Sequence, residues 1–149
     1  MSFASVDDLR KAVGTDLGYG EWMEVDQAKI DMFADATGDH QWIHVDPEAA
    51  GAGPFKTTVA HGFLTLALLP ALAGDRLRVE GVRMGVNYGL NKVRFPAPLP
   101  SGSRVRSRVE VVSVQEVPGG IEVIGRTTIE REGGDKPVCV AESVARFYF

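Results

Sequence analysis

Cysteine is nearly absent from this sequence: Cys139 stands alone among 149 residues, so neither an internal disulfide nor a thiolate metal cluster can be built from it. That scarcity suits a reducing, cytoplasmic setting, and the apolar neighbours Val138 and Val140 suit a packed thiol rather than a reactive one. Aromatic residues are also few, at 8%, and they do not interleave with the basic side chains. With a net charge of -4, this argues against nucleic acid as a partner. Long apolar runs are missing. The most apolar segment, Gly62 to Gly74, is 13 residues long and contains Thr65 and Pro70, short of the ~20 residues a membrane span needs. The opening MSFASVDDLR has no basic start followed by an apolar stretch, so no secretory leader is read there and no membrane partner is expected. No repeat, low-complexity tract or Gly/Pro/Ser-rich linker divides the chain. A composition of 44% hydrophobic and 24% charged residues describes a single globular domain over 1–149.

The charge is unevenly spread. Residues 1–75 carry 12 acidic and 4 basic side chains, whereas residues 76–149 carry 8 and 12. Between 76 and 110 the basic residues include Arg76, Arg78, Lys92 and Arg94, with only Glu80 and Glu110 to oppose them, so a small anion is the partner this half would attract. Arg104, Arg106 and Arg108 alternate along a predicted strand and read as its solvated face.

The first half is patterned for helices. Ser5 followed by Asp8 has capping-box spacing and predicts a helix over 6–13 ended by Gly14. A short strand is expected over Glu21 to Val25. Asp26 is a good N-cap for a helix in which Ile30, Phe33, Ala34 and Thr37 recur at helical spacing, with Gly38 as its stop. From Asp39 to Thr58 the sequence reads as a loop, apart from a possible turn of helix at 47–50 opened by Pro47. His61 to Gly74 is apolar on nearly every face and predicts an enclosed core helix, kinked or interrupted at Pro70. Then the period changes to two: strands are expected over Gly81 to Tyr88, Asn91 to Phe95, Val105 to Glu116, Ile121 to Arg131 and Pro137 to Phe149. Asn87 and Asn91 read as organisers of a turn around Gly89, and the last three strands as an antiparallel meander. The class is α+β, with a central helix wrapped by a curved sheet.

All three histidines, His40, His44 and His61, fall in the irregular stretch or at the start of the core helix. Asp39 and His44 are five residues apart on what must be a bent loop, where a carboxylate and an imidazole could hold one water and serve as general base and acid. A metal is not expected: His44 and Asp46 could contribute two ligands, but a catalytic zinc site usually needs three, and no HExxH or Cys-rich partner set is present. At the start of the core helix, the unpaired first amides around Gly62 could receive an oxygen that becomes negative. His61 reads there as a capping or packing residue.

The tracts ATGDHQWIHVDPEAA at 36–50, AHGFLTLALLP at 60–70 and NYGLNKVRFPAPLPSGSRV at 87–105 resemble the MaoC-like (R)-specific enoyl-CoA hydratases, particularly their nodulation-protein-N-like branch. The resemblance implies a hot-dog fold, a homodimer, and a coenzyme A thioester as substrate with no metal or redox cofactor. It assigns Asp39 and His44 as the water-activating pair and Gly62 as the amide that polarises the thioester carbonyl. Gln41 and Trp42 replace the commoner Asn-Pro, and with His61 and Phe63 they are candidates to contact the substrate. Lys92 and Arg94 are candidates for the coenzyme A phosphates. A hot-dog thioesterase and a non-catalytic acyl-thioester-binding subunit are the alternative readings.

Overall fold

The computed structural model describes residues 2–149; Met1, the first residue of the stretch read for a leader, lies outside the described residues. Helix α1 (Val6–Lys11) starts as its capping signal requires: Ser5 accepts from the Asp8 amide, and its hydroxyl donates to the Asp8 carboxylate at 2.8 Å. The helix closes at Ala12, two residues ahead of the expected Gly14. Strands β1 (Asp16–Tyr19) and β2 (Met23–Val25) follow. β1 was not legible in advance, because Gly18 interrupts its pattern in a left-handed conformation. Helix α2 (Gln27–Thr37) runs from the Asp26 cap to Gly38, whose φ of 82° completes the C-terminal stop.

The stretch expected to be a loop holds two short helices, α3 (Trp42–Val45) and α4 (Pro47–Ala52). α4 has its signal, an Asp46 cap followed by Pro47. α3 has none: its N-cap Gln41 makes no side-chain bond, and the turn is held by contacts from distant residues. The core helix is interrupted as Pro70 demands, into α5 (Gly62–Ala67) and α6 (Leu69–Ala73).

The sheet is built from β3 (Met84–Arg94), β4 (Ser103–Val117), β5 (Gly120–Arg131) and β6 (Cys139–Tyr148), with β1 and β2 along the outer side of β4, in the order β1-β4-β5-β6-β3. β4, β5 and β6 form the expected meander. The turn expected around Gly89 does not exist: Asn87 and Asn91 lie within one continuous strand, and Gly89 sits at a register shift between the pairs Asn87↔Ala145 and Gly89↔Val144. A bulge absorbs the extra residue that the polar pattern suggested as a loop.

One sheet face receives the helices. On β4 Val105, Ser107, Val109 and Val111 point inward, while Arg104, Arg106 and Arg108 point outward into pairs with Glu132, Glu130 and Asp16. The outward arginines also lie over Trp22 and Tyr19, so this face is a solvated ion-pair ladder with aromatic support. Each inward Val or Ile stabilises the fold by roughly 1.5–3 kcal/mol. Ser107 donates its hydroxyl to the Leu72 carbonyl at 2.9 Å and so pins α6 to β4. The wrapping is one-sided, contrary to the enclosure expected for the core helix. Leu64 and Leu72 are buried, but Phe63 is 72% exposed, and a cavity of about 640 Å³ opens between Leu66, Leu69 and the Leu90 and Phe147 side of the sheet. A single sheet can cover only one flank of an all-apolar helix. Among the described residues no helix is long and apolar enough to cross a membrane.

Candidate active site

Asp39 emerges from the left-handed Gly38 with its amide 3.4 Å from Thr37 Oγ1, and its carboxylate accepts from the Gln41 amide at 3.3 Å. This local turn leaves the side chain exposed. His44, on α3, is only 7% exposed. Its Nδ1 lies 2.6 Å from the Val59 carbonyl oxygen, and a carbonyl only accepts, so the hydrogen is on Nδ1 and Nε2 keeps a free lone pair. The His44 carbonyl in turn receives a hydrogen bond from Gln27 Nε2 at 2.7 Å, while Gln27 Oε1 accepts from the Thr58 hydroxyl. Gln27 therefore clasps α3 to α2 and to the strand-like run before α5.

That run is tied down at Val59, whose amide donates to the Ile43 carbonyl at 3.0 Å, and at Ala60, whose amide donates to Leu99 at 2.8 Å. It delivers His61 and Gly62 to the start of α5. The first intrahelical donor is the Thr65 amide, bonded to the His61 carbonyl at 3.1 Å, which places the amides of Gly62, Phe63 and Leu64 ahead of the helix's own ladder. Gly62 and His44 together line a cavity of about 340 Å³ walled by Ile43, Phe55, Phe95 and Val138. A Cβ on Gly62 would sit 3.1 Å from the Phe95 ring, so that wall lies directly over the glycine.

Asp39, His44 and His61 converge. One side-chain donor atom of each lies within 4.8 Å of the others. Such a trio could be read as a metal site, but its rings are badly placed for one. An ion bound by two imidazoles must lie in both ring planes, about 2.0–2.1 Å from each nitrogen. The His44 and His61 rings stack at 3.8 Å with 23° between them, so their planes meet far outside that distance.

The remaining sequence candidates spread out. Gln41 is exposed and contributes its backbone amide to the Asp39 turn. Trp42, 44% exposed, packs against Gly53 rather than in the core or on the cavity wall. Phe63 projects outward from α5. Lys92 and Arg94 are exposed near the end of β3, next to Phe95. His61 is buried behind His44 and makes no side-chain cap to its helix. His40, the third histidine, turns away and pairs with Asp35 at 2.9 Å, and that carboxylate raises its pKa above the usual imidazole value. Gln27, Phe55, Thr58 and Phe95 were missed by sequence reasoning. None carries a spacing signal: Gln27 comes from α2, Phe55 and Thr58 from the segment between α4 and α5, and Phe95 from just beyond β3.

A MaoC-like domain is matched over residues 8–132. The chain is 55% identical over 147 residues to 3-hydroxyacyl-thioester dehydratase Z of Mycobacterium tuberculosis, covering 98% of this chain and 97% of that protein. It is 44% identical to Nodulation protein N of Rhizobium leguminosarum bv. viciae, covering 97% and 92% of the two. Among solved structures, the (R)-hydratase from A. caviae involved in PHA biosynthesis superposes with a TM-score of 0.73 at 26% identity, over 89% of this chain and 94% of that one. The curved antiparallel sheet with its helices is thus the hot-dog fold, and the chain belongs to the MaoC-like dehydratases, a family of hydro-lyases.

Proposed function

We propose that this protein adds water across the double bond of trans-2-enoyl-CoA to give the (R)-3-hydroxyacyl-CoA, or runs the reverse dehydration, using Asp39, His44 and the Gly62 amide. What supports this reading is one convergence: a carboxylate and an imidazole with a free Nε2 meet beside a cavity that also exposes an unpaired helix-start amide. The thioester carbonyl accepts from the Gly62 amide, which draws electron density from the β-carbon. Water held between Asp39 and His44 attacks there. His44 Nε2 takes one water proton, the C–O bond forms at the β-carbon, and the same proton passes from Nε2 to the α-carbon, so both additions occur on one face. Asp39, ionised, accepts from the remaining hydrogen of the water and balances the transient imidazolium. Atoms balance with water and thioester alone, so no metal or redox cofactor is invoked.

Lys92 and Arg94, exposed where β3 reaches the Phe95 wall, offer cations to the coenzyme A phosphates. The protein acts in the cytoplasm, in keeping with its single unpaired cysteine. Two copies pair through β3, whose outer edge has no strand partner among the described residues.

The test follows the absorbance of crotonyl-CoA with the wild type and the variants Asp39→Asn and His44→Gln. Each substitution should lower kcat by about 10²–10⁴-fold, the usual worth of a positioned acid or base. Full activity in both variants overturns the assignment, and release of free coenzyme A thiol without hydration makes the protein a thioesterase instead.

A further inference from the structure

His61 is in an odd position for a packing residue. It is 3% exposed, and its Nδ1 is the one buried side-chain polar atom among the described residues that has no hydrogen-bond partner. A leucine or phenylalanine would fill the same space without leaving a buried acceptor unpaired, so packing alone does not account for an imidazole here. Its other contacts are specific. Nε2 donates to the backbone carbonyl of Asp39 at 2.9 Å, across 22 residues of sequence. One ring face lies on His44 at 3.8 Å, and Phe33 closes the arrangement at 4.8 Å in a tilted contact. The other described hydrogen bonds of Asp39 are local, to Thr37 and Gln41, and both are longer than 3.2 Å.

We infer that His61 is the positioning residue of the Asp39–His44 pair. It ties the Asp39 backbone to the start of α5, where Gly62 lies, and it gives the His44 ring a flat surface that fixes the direction of Nε2. The inference rests on the hydratase reading for its kinetic consequence, though not for its structural one. Because the Asp39 carbonyl only accepts, His61 carries its hydrogen on Nε2, whereas His44 carries its own on Nδ1. The two stacked rings are opposite tautomers. His61 itself never meets the reacting atoms: removing it should misaim the pair while leaving thioester binding largely intact.

Two measurements test this. Long-range ¹H–¹⁵N correlation spectra of the full chain, which has only three histidines, should show the Nε2–H form for His61 and the Nδ1–H form for His44. A hydrogen on His61 Nδ1 overturns the inference, and this readout needs no turnover. In kinetics with crotonyl-CoA, His61→Leu should lower kcat by about 10–100-fold, as loss of an orienting partner typically does, with KM changed less than about threefold. His61→Gln, which keeps an N–H donor near the Nε2 position, should recover most of that loss. Wild-type kcat in His61→Leu, or a His61→Gln no better than it, overturns the inference. If Asp39→Asn and His44→Gln also stay fully active, it is the hydratase assignment that fails, and the tautomer spectrum alone then decides the placement of His61. Should His61→Leu not fold, the glutamine variant and the spectrum still decide.

Discussion

His40 and His44 are four residues apart and could hardly be in more different surroundings. His40 is exposed and held by the Asp35 carboxylate, which is the main cause of its raised pKa. A raised folded-state pKa means that the pair contributes stability below the ordinary imidazole value of about 6.5 and loses that contribution as pH climbs through the folded value. An NMR titration should therefore place the His40 midpoint above about 6.5 in the wild type and return it toward that value in Asp35→Asn. An unchanged midpoint in the variant would mean that Asp35 is not the cause. Cys139 shows the opposite influence: burial pushes its thiol up to about 11, which agrees with the packed role its valine neighbours suggested. Both residue types were visible in the sequence. Which histidine would be paired and which buried was not, because a ring's environment is set by the elements folded over it.

At the scale of elements, the helices whose caps are local were legible and the one held from outside was not. Ser5, Asp26 and Asp46 all cap as their identities dictate. α3 is a single turn with β-branched Ile43 and Val45 and no cap of its own, so its shape depends on the Gln27 amide at the His44 carbonyl and on Val59 at Ile43. Replacing Gln27 with Leu removes that donor and also strands the Thr58 hydroxyl, which should cost about 1–3 kcal/mol. Urea unfolding of Gln27→Leu should show a lowered midpoint with an unchanged slope. A midpoint equal to the wild type would remove Gln27 from the account of how α3 is held. β3 teaches the same lesson from the sheet side. Its asparagines and glycine imitate a turn locally, yet pairing with β6 along its whole length carries it through two register shifts.

The molecule as a whole has one open side. Along β3 the exposed residues Met84, Val86 and Tyr88 share one face, the bulge turns Leu90 to the other beside the uncovered flank of α5–α6, and the strand's outer edge has no partner among the described residues. An unpaired edge this long, beside apolar surface, invites a symmetric partner that meets it with the same strand. Light scattering should give twice the chain mass for the wild type and a single chain mass for Met84→Lys/Val86→Lys, with the circular dichroism of the fold retained. A monomeric wild type would sink the pairing.

Period and punctuation alone determined the long strands of the second half, the meander of β4 to β6 and the break at Pro70. These depend on nearest neighbours along the chain. The tertiary structure alone decided that α3 exists, that β3 runs unbroken, that the core helix is covered on one flank only, and that His61 bonds the Asp39 backbone while stacking on His44. Each of those is an interaction between segments far apart in sequence, and spacing along a chain carries no record of which distant backbone carbonyl a buried ring will find.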